Sequence, residues 1–257
     1  MMKVIDTHCH IDVADFDPDR DQVLADCREQ GVSKIVVPAI AADGWDNLLR
    51  VCRQQPGLYP ALGLHPVFLE QHTDADLQLL GRMLTENSDV VAVGEIGLDF
   101  YLVDLDQVRQ AELFEAQLDI ARAHDLPVIL HVRKAHQQTL AILKRAGVKG
   151  GIVHAFNGSL EQAREYLALG FKLGFGGMLS YEKSTRLQRL ARELPLSAMV
   201  METDAPDMAG AAYRGQRNSP QYLSQYLHAL AMLREESDEM IAAATTANAA
   251  AILNLHD

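Results

Sequence analysis

The residues able to hold a metal ion are scattered along the chain, yet each stands at the end of a short apolar run. His8 and His10 follow Val4-Ile5-Asp6-Thr7, Glu95 ends 90–95, and His131 follows Pro127-Val128-Ile129-Leu130. His154 follows Gly151-Ile152-Val153, and Asp204 ends 198–204. Imidazole and carboxylate are the ligands that Zn, Mn or Mg accept. In His8-Cys9-His10, extended residues two apart share a side, so both imidazoles reach one ion while Cys9 faces away. Glu95 has an oxygen for each of two ions; a plain ion pair is its structural alternative. Glu202 precedes Asp204 by two residues and shares its side. Two such charges inside a protein need a cation, supplied by a metal or by a buried Arg or Lys. Any one of these residues alone reads as an ordinary core or surface group. Their common placement is what points to a metal.

The elements that must position them alternate in type. Short β-branched runs at 4–7, 34–39, 58–64, 90–95, 127–131, 151–154, 171–175 and 198–204 read as strands buried on both faces. Helical spacing fills 43–55, 107–125, 135–146, 159–169 and 182–194, with two terminal helices at 220–234 and 238–255. Asp17-Pro18 and Gly158-Ser159 look like helix starts, and Gly31, Gly147 and Gly170 like stops. Strands alternating with helices argue for a parallel sheet. Eight of them predict an α/β fold, a TIM (β/α)8-type barrel, as one domain over residues 1–257. An open doubly wound sheet is the alternative. In a barrel the site lies at the C-terminal strand ends, where all six ligands would converge. The Gly-, Ala- and Arg-rich stretch 207–219 reads as a long functional loop after the last strand.

Composition narrows the function. With 48% hydrophobic and 23% charged residues among 257, the chain has the make-up of a globular protein. The formal net charge of −12, from 35 acidic against 23 basic residues, argues against a broad basic groove for duplex nucleic acid. Carboxylates that bind metal are not free negative charge, so a locally positive phosphate site remains compatible. Cys9, Cys27 and Cys52 form no CxxC pair, suggesting neither a disulfide framework nor a zinc ribbon. No apolar leader or membrane span is read from the sequence, and a reducing cytoplasm is the expected location.

The same residues carry a resemblance. Asp-Thr-His-Cys-His at 6–10, Gly-Leu-His-Pro at 63–66, Gly-Glu-Ile-Gly-Leu-Asp at 94–99 and His-Val-Arg at 131–133 match in order. His-Ala-Phe-Asn-Gly-Ser at 154–159, Gly-Phe-Gly-Gly at 174–177, Glu-Thr-Asp-Ala-Pro at 202–206, Arg-Asn-Ser-Pro at 217–220 and Thr-Ala-Asn-Ala at 246–249 continue it. Over nearly the whole chain the sequence resembles the TatD-type family of metal-dependent deoxyribonucleases. The resemblance implies a TIM barrel and two divalent metal ions (Mg, Mn or Zn). His8, His10 and Asp204 would hold one, His131 and His154 the other, and Glu95 would bridge them. It further implies phosphodiester hydrolysis at DNA ends, exonuclease-like, by a water activated between the metals. The sequence departs from the family at Lys134, at Ala155-Phe156-Asn157-Gly158-Ser159 and at 208–212, which avoid the ligands and bear on substrate identity.

Roles can then be assigned. Asp204 is the candidate general base, with Glu95 as the second catalytic carboxylate. The substrate-side candidates are Arg133, His65, Tyr101, Arg217 and Glu202. Arg133 and Arg217 suit a non-bridging phosphate oxygen, with an ordinary ion pair the alternative for Arg217. His65 contacts substrate or caps the turn before Pro66. Tyr101, Phe100 and Phe156 could stack on a terminal base or pack the barrel top. Asp12 would support the site from outside the ligand set. The expected partner is DNA, as single strands or frayed ends, with neither a membrane nor an obligate protein partner. Two rivals stay open: a hydrolase of small esters, lactones or cyclic amides on the same scaffold, and a metal-bound binding module without turnover.

Overall fold

The structure, a computed structural model, describes residues 2–255, so positions 1, 256 and 257 of the expected 1–257 unit lie outside the described residues. The strands are β1 (Val4–Asp6), β2 (Val32–Pro38), β3 (Leu58–Leu62), β4 (Ala92–Asp99), β5 (Val128–Arg133), β6 (Gly151–Val153), β7 (Phe171–Phe175) and β8 (Met199–Met201). They pair in parallel in chain order. Around them lie α1 (Arg20–Glu29), α2 (Trp45–Gln54), α3 (Asp74–Glu86), α4 (Gln107–Ala123), α5 (His136–Ala146), α6 (Leu160–Ala168), α7 (Thr185–Glu193), α8 (Leu223–Ala231) and α9 (Asp238–Leu253).

The eight strands form a nearly closed barrel. At the seam, Thr7 N–H donates to the Met201 carbonyl (3.0 Å). The buried Asp6 carboxylate ties the seam further by accepting from Thr203 N–H (3.0 Å), the Thr203 hydroxyl (2.6 Å) and His8 N–H (3.2 Å). The barrel interior is filled by Ile5, Val36, Ala61, Ala92, Ile129, Ile152 and Val200, and α9 closes its lower end with Ala249 and Leu253. A larger apolar layer packs between strands and helices, with Trp45, Phe114, Tyr166 and Phe171 among its largest members.

Two differences from the sequence reading matter. Helix α3 has no counterpart in it, although Thr73 and Asp76 form a reciprocal capping box at its start. Glu95 and His131 also do not end their strands. Pairing of β4 with β5 continues through Gly97↔His131, Leu98↔Val132 and Asp99↔Arg133, so both residues lie inside the sheet. The polar side chains that interrupt the apolar run are inward-facing, and the backbone ladder carries on past them.

Candidate metal centre

Three strands use one device to present a polar group. Ile129, Ile152 and Val200 line the barrel interior, and the residues two further on, His131, His154 and Glu202, share their side at the mouth. Strand β4 uses another. Its register shifts between Val93 and Ile96, so that Gly94 and Glu95 together oppose Ile129. Such a bulge re-aims a side chain. Glycine is required at 94, since a Cβ there would stand 2.6 Å from the Ile129 Cβ. On the first strand, His8 and His10 lie just beyond β1, fixed by Asp204 N–H donating to the His8 carbonyl (2.8 Å) and His10 N–H to the Ala205 carbonyl (2.8 Å).

The resulting geometry centres on Glu95, which is 2% exposed. Its Oε2 lies 3.1 Å from His8 Nε2 and 3.7 Å from His10 Nε2. Its Oε1 lies 3.1 Å from His131 Nδ1 and 3.4 Å from His65 Nε2. Asp204 Oδ1 stands 3.6 Å from His8 Nε2 and 3.8 Å from His10 Nε2, while its Oδ2 stands 3.5 Å from His154 Nε2. The His154 ring stacks on His8 with centroids 3.6 Å apart, and its Nδ1 lies 3.0 Å from Glu202 Oε1.

Three groups of ligand atoms are close enough to share an ion: His8, His10 and Glu95; His65, Glu95 and His131; and His8, His154 and Glu202. His65, read from the sequence as a substrate contact, therefore sits with His131, whereas His154 sits with His8 and Glu202. The arrangement fits a cation. The His8 and His10 Nε2 atoms face each other at 3.3 Å, and His8 Nδ1 and Glu202 Oε2 are buried without a hydrogen-bond partner. Buried lone pairs converging without donors are costly unless a positive charge lies among them.

Charge in the cluster is mutually adjusted. Burial opposes ionisation of Glu95, yet His65, His8 and His131 hold it well below the usual carboxylate range. Burial likewise works against Asp204, and His154 overrides it. Burial, reinforced by His154, pushes His8 down, and burial pushes His65 down. His131 goes the other way. Burial disfavours its charge, but hydrogen bonds to Asp99 and Glu95 raise it to about 9.

The remaining candidates divide. His10, His65, Glu95, His131, Arg133, His154 and Asp204 all border a cavity of about 670 Å3 at the barrel mouth, together with Phe68, Met178 and Met208. Tyr101 is 53% exposed beside it, with the Arg133 guanidinium 3.8 Å over its ring. Arg217 is drawn elsewhere: it forms a two-bond pair with Asp19 (2.9 and 2.6 Å), donates to the Asp15 carbonyl and lies over Phe16. Phe156 is buried, and Phe100 packs partly buried against the core. The sequence reading assigned no role to Asp99, whose Oδ2 lies 3.0 Å from His131 Nε2 and fixes that ring from behind. Its signal was the Gly-Leu-Asp that ends β4, one of the quoted motifs.

A parallel barrel with His and carboxylate clusters at its mouth defines a metal-dependent hydrolase. Known proteins agree. The chain is 40% identical over 255 residues to the metal-dependent hydrolase YjjV of Escherichia coli, covering 98% of each. It is 32% identical over 255 residues to the metal-dependent hydrolase YabD of Bacillus subtilis, covering 98% of this chain and 100% of that protein. The crystal structure of YjjV, described as a TatD homolog, superposes with a TM-score of 0.95 over 98% of both chains at 40% identity. A TatD family hydrolase from Entamoeba histolytica shares the fold, with a TM-score of 0.87 at 20% identity over 98% of each chain. The TatD related DNase family matches residues 5–254, and the chain belongs to it.

Proposed function

We propose that the protein is a divalent-metal-dependent phosphodiesterase that shortens DNA from single-stranded or frayed ends. The observation that carries this is Glu95, whose two oxygens serve separate groups: Oε2 towards His8 and His10, Oε1 towards His65 and His131. A carboxylate so divided suits a bridge between two ions. His8, His10 and Asp204 would hold one ion; His131 with His154 would hold the other, with His65 Nε2, 3.4 Å from the same Glu95 oxygen that His131 approaches, as a further ligand on that side. Bound divalent ions would supply Lewis acidity towards phosphoryl oxygens.

The chain's own groups do the rest. Asp204 faces the cavity as a carboxylate and can accept a proton at Oδ2, which lies 3.5 Å from His154 Nε2. Asp99 orients the His131 ring by hydrogen bond, and the Glu202 carboxylate lies beside His154 Nδ1 at 3.0 Å. Arg133 borders the cavity and can take a non-bridging phosphate oxygen, with Tyr101 beneath it as a face for a terminal base. Arg217, committed to Asp19, is left out of the substrate set. The family's description as DNases supports a nucleic-acid substrate. The net charge of −12 supports ends over long duplex tracts. No described helix is long and apolar enough to cross a membrane. The free, buried Cys9, Cys27 and Cys52 fit a reducing, cytoplasmic setting.

The test is a matrix of Mg, Mn and Zn against end-labelled single-stranded, duplex and circular DNA, with lactones and cyclic amides alongside. Stepwise shortening of linear strands with the circle intact is expected. Turnover of lactones or amides with no DNA cleavage would replace the nuclease reading by its small-substrate rival.

A further inference from the structure

A second cavity of about 360 Å3 lies beside the metal centre. The two share Ala155, Asn157, Met178, Asp204 and Met208 as walls, so a strand held at Asp204 can continue from one into the other. The far wall of the side cavity is the start of α7, where exposed Lys183 and Arg186 stand at the rim. These two cations differ from those around them. Lys144, Arg145 and Arg189 each pair with a glutamate, whereas among the described residues Lys183 and Arg186 form no ion pair. Arg186 is nonetheless held in place. Its guanidinium donates to the Asn157 carbonyl, and the Asn157 side chain is itself tied to His136 Nε2 (3.2 Å) and to the Ala155 carbonyl (3.2 Å). That bond goes to a neutral acceptor, so the positive charge stays uncompensated beside the cavity, with further N–H groups to offer.

The opposite sign stands elsewhere on the mouth. Exposed Asp15 and Asp207, on the loops after β1 and β8, border the mouth cavity and not the side cavity. A polyanion leaving the metal centre over those loops meets like charge, while one leaving through the side cavity meets two unpaired cations. In a chain of net charge −12, that local difference gives the mouth a direction. We infer that the substrate strand leaves the metal centre through the side cavity, and that Lys183 and Arg186 bind the phosphate next to the scissile one. Arg186, anchored on Asn157, presents a fixed guanidinium to two phosphate oxygens, and Lys183 adds a second charge on a flexible stem. Arg133, which borders only the mouth cavity, is left for the scissile phosphate. The inference rests on the phosphodiesterase reading, because a phosphodiester held at Asp204 is what brings the next phosphate to α7.

Substrate length tests the subsite. With Mg or Mn and the full-length protein, the thymidine dinucleotide, whose single phosphate is the scissile one, is compared with the trinucleotide, which carries one phosphate more. The trinucleotide is expected to show a KM about tenfold lower, the effect of one charge-assisted contact. Lys183→Ala combined with Arg186→Ala should bring the ratio of the two KM values to about one. Arg192→Ala, on the same helix but outside both cavities, should leave that ratio as in the wild type. A trinucleotide whose uncut linkage is a neutral methylphosphonate should behave as the dinucleotide does, which separates the phosphate charge from the bulk of a third nucleoside. Equal KM at both lengths, a ratio that survives the double variant, or an undiminished gain with the methylphosphonate would overturn the subsite. Absence of cleavage on every substrate would instead sink the phosphodiesterase reading. Fluorescence anisotropy then decides the subsite: labelled hexathymidylate in Mg should bind the double variant about tenfold more weakly than the wild type, and absent or unchanged binding would overturn it.

Discussion

Asp6 holds the barrel seam, and Asp6→Ala should show how much depends on it. The carboxylate is fully buried and accepts three hydrogen bonds, from Thr203 N–H, the Thr203 hydroxyl and His8 N–H. Truncation leaves three donors facing a small void, at about 1–3 kcal/mol each. Relief of the cost of burying a carboxylate, and hydration of the void, offset part of that. A net loss of roughly 3–5 kcal/mol remains, a large share of the 5–15 kcal/mol typical of a domain. Thr203→Val alone removes the hydroxyl's bond to Asp6 and the long one it accepts from Ala205 N–H (3.3 Å), and should cost about 1–3 kcal/mol. Because both changes delete the same hydroxyl–carboxylate bond, their double mutant should fall short of additivity by about 1–2 kcal/mol. Urea unfolding followed by circular dichroism measures all three variants, with constant m as the check that the unfolded state is unchanged. Additive costs, or a loss under about 1 kcal/mol for Asp6→Ala, would refute the role given to this carboxylate.

Glu95→Ala should reduce bound metal and abolish hydrolysis, because both groups of histidines lose their shared oxygens; metal analysis beside turnover reads this, and full activity would refute the bridge. Asp204→Asn should keep the fold, by circular dichroism, and lose most activity. Arg217→Ala should leave KM for oligonucleotides unchanged and cost roughly 1 kcal/mol of stability at most, since the Asp19 pair is partly exposed and screened. His136 is pushed down by burial, against the hydrogen bond its Nε2 donates to Asn157 Oδ1 (3.2 Å), so its folded value lies below its unfolded one. The stability it contributes is therefore present above about pH 6.5 and lost as pH falls further. Compared with His136→Asn, the wild type should lose urea resistance between pH 7.5 and pH 5, and parallel profiles for the two proteins would contradict this.

Much of the fold was legible because barrel strands buried on both faces leave uninterrupted apolar runs. All eight strands were found in order. The site was legible for a related reason: a histidine or carboxylate closing such a run is locally improbable, and several fell at the same level of the fold. What the sequence concealed was pairing. His131 and His154 look equivalent, each two residues beyond a buried isoleucine, yet His131 sits with His65 and His154 with His8 and Glu202. Spacing along a strand gives the side a residue faces and says nothing about its neighbour across the barrel. Asp99 was hidden because β4 continues past Glu95 after a bulge, which hydrophobic alternation does not register. Arg217 looked free for substrate because its partner Asp19 lies 198 positions away.

The seam has a consequence for how the protein is made. His8 waits for Asp204, and Asp6 waits for Thr203, 197 positions downstream. During vectorial synthesis at about 5–20 residues per second, the early histidines precede those partners by roughly 10–40 s. For that interval a growing chain displays His8 and His10 as a loose chelating pair, with Glu95 and then His131 joining before Asp204 exists. Ions met then would be ranked by intrinsic affinity, which favours copper and zinc over magnesium and manganese. On the proposed metal-binding reading, which ion the finished barrel carries would depend partly on whether the cell withholds the tighter binders until β8 has arrived.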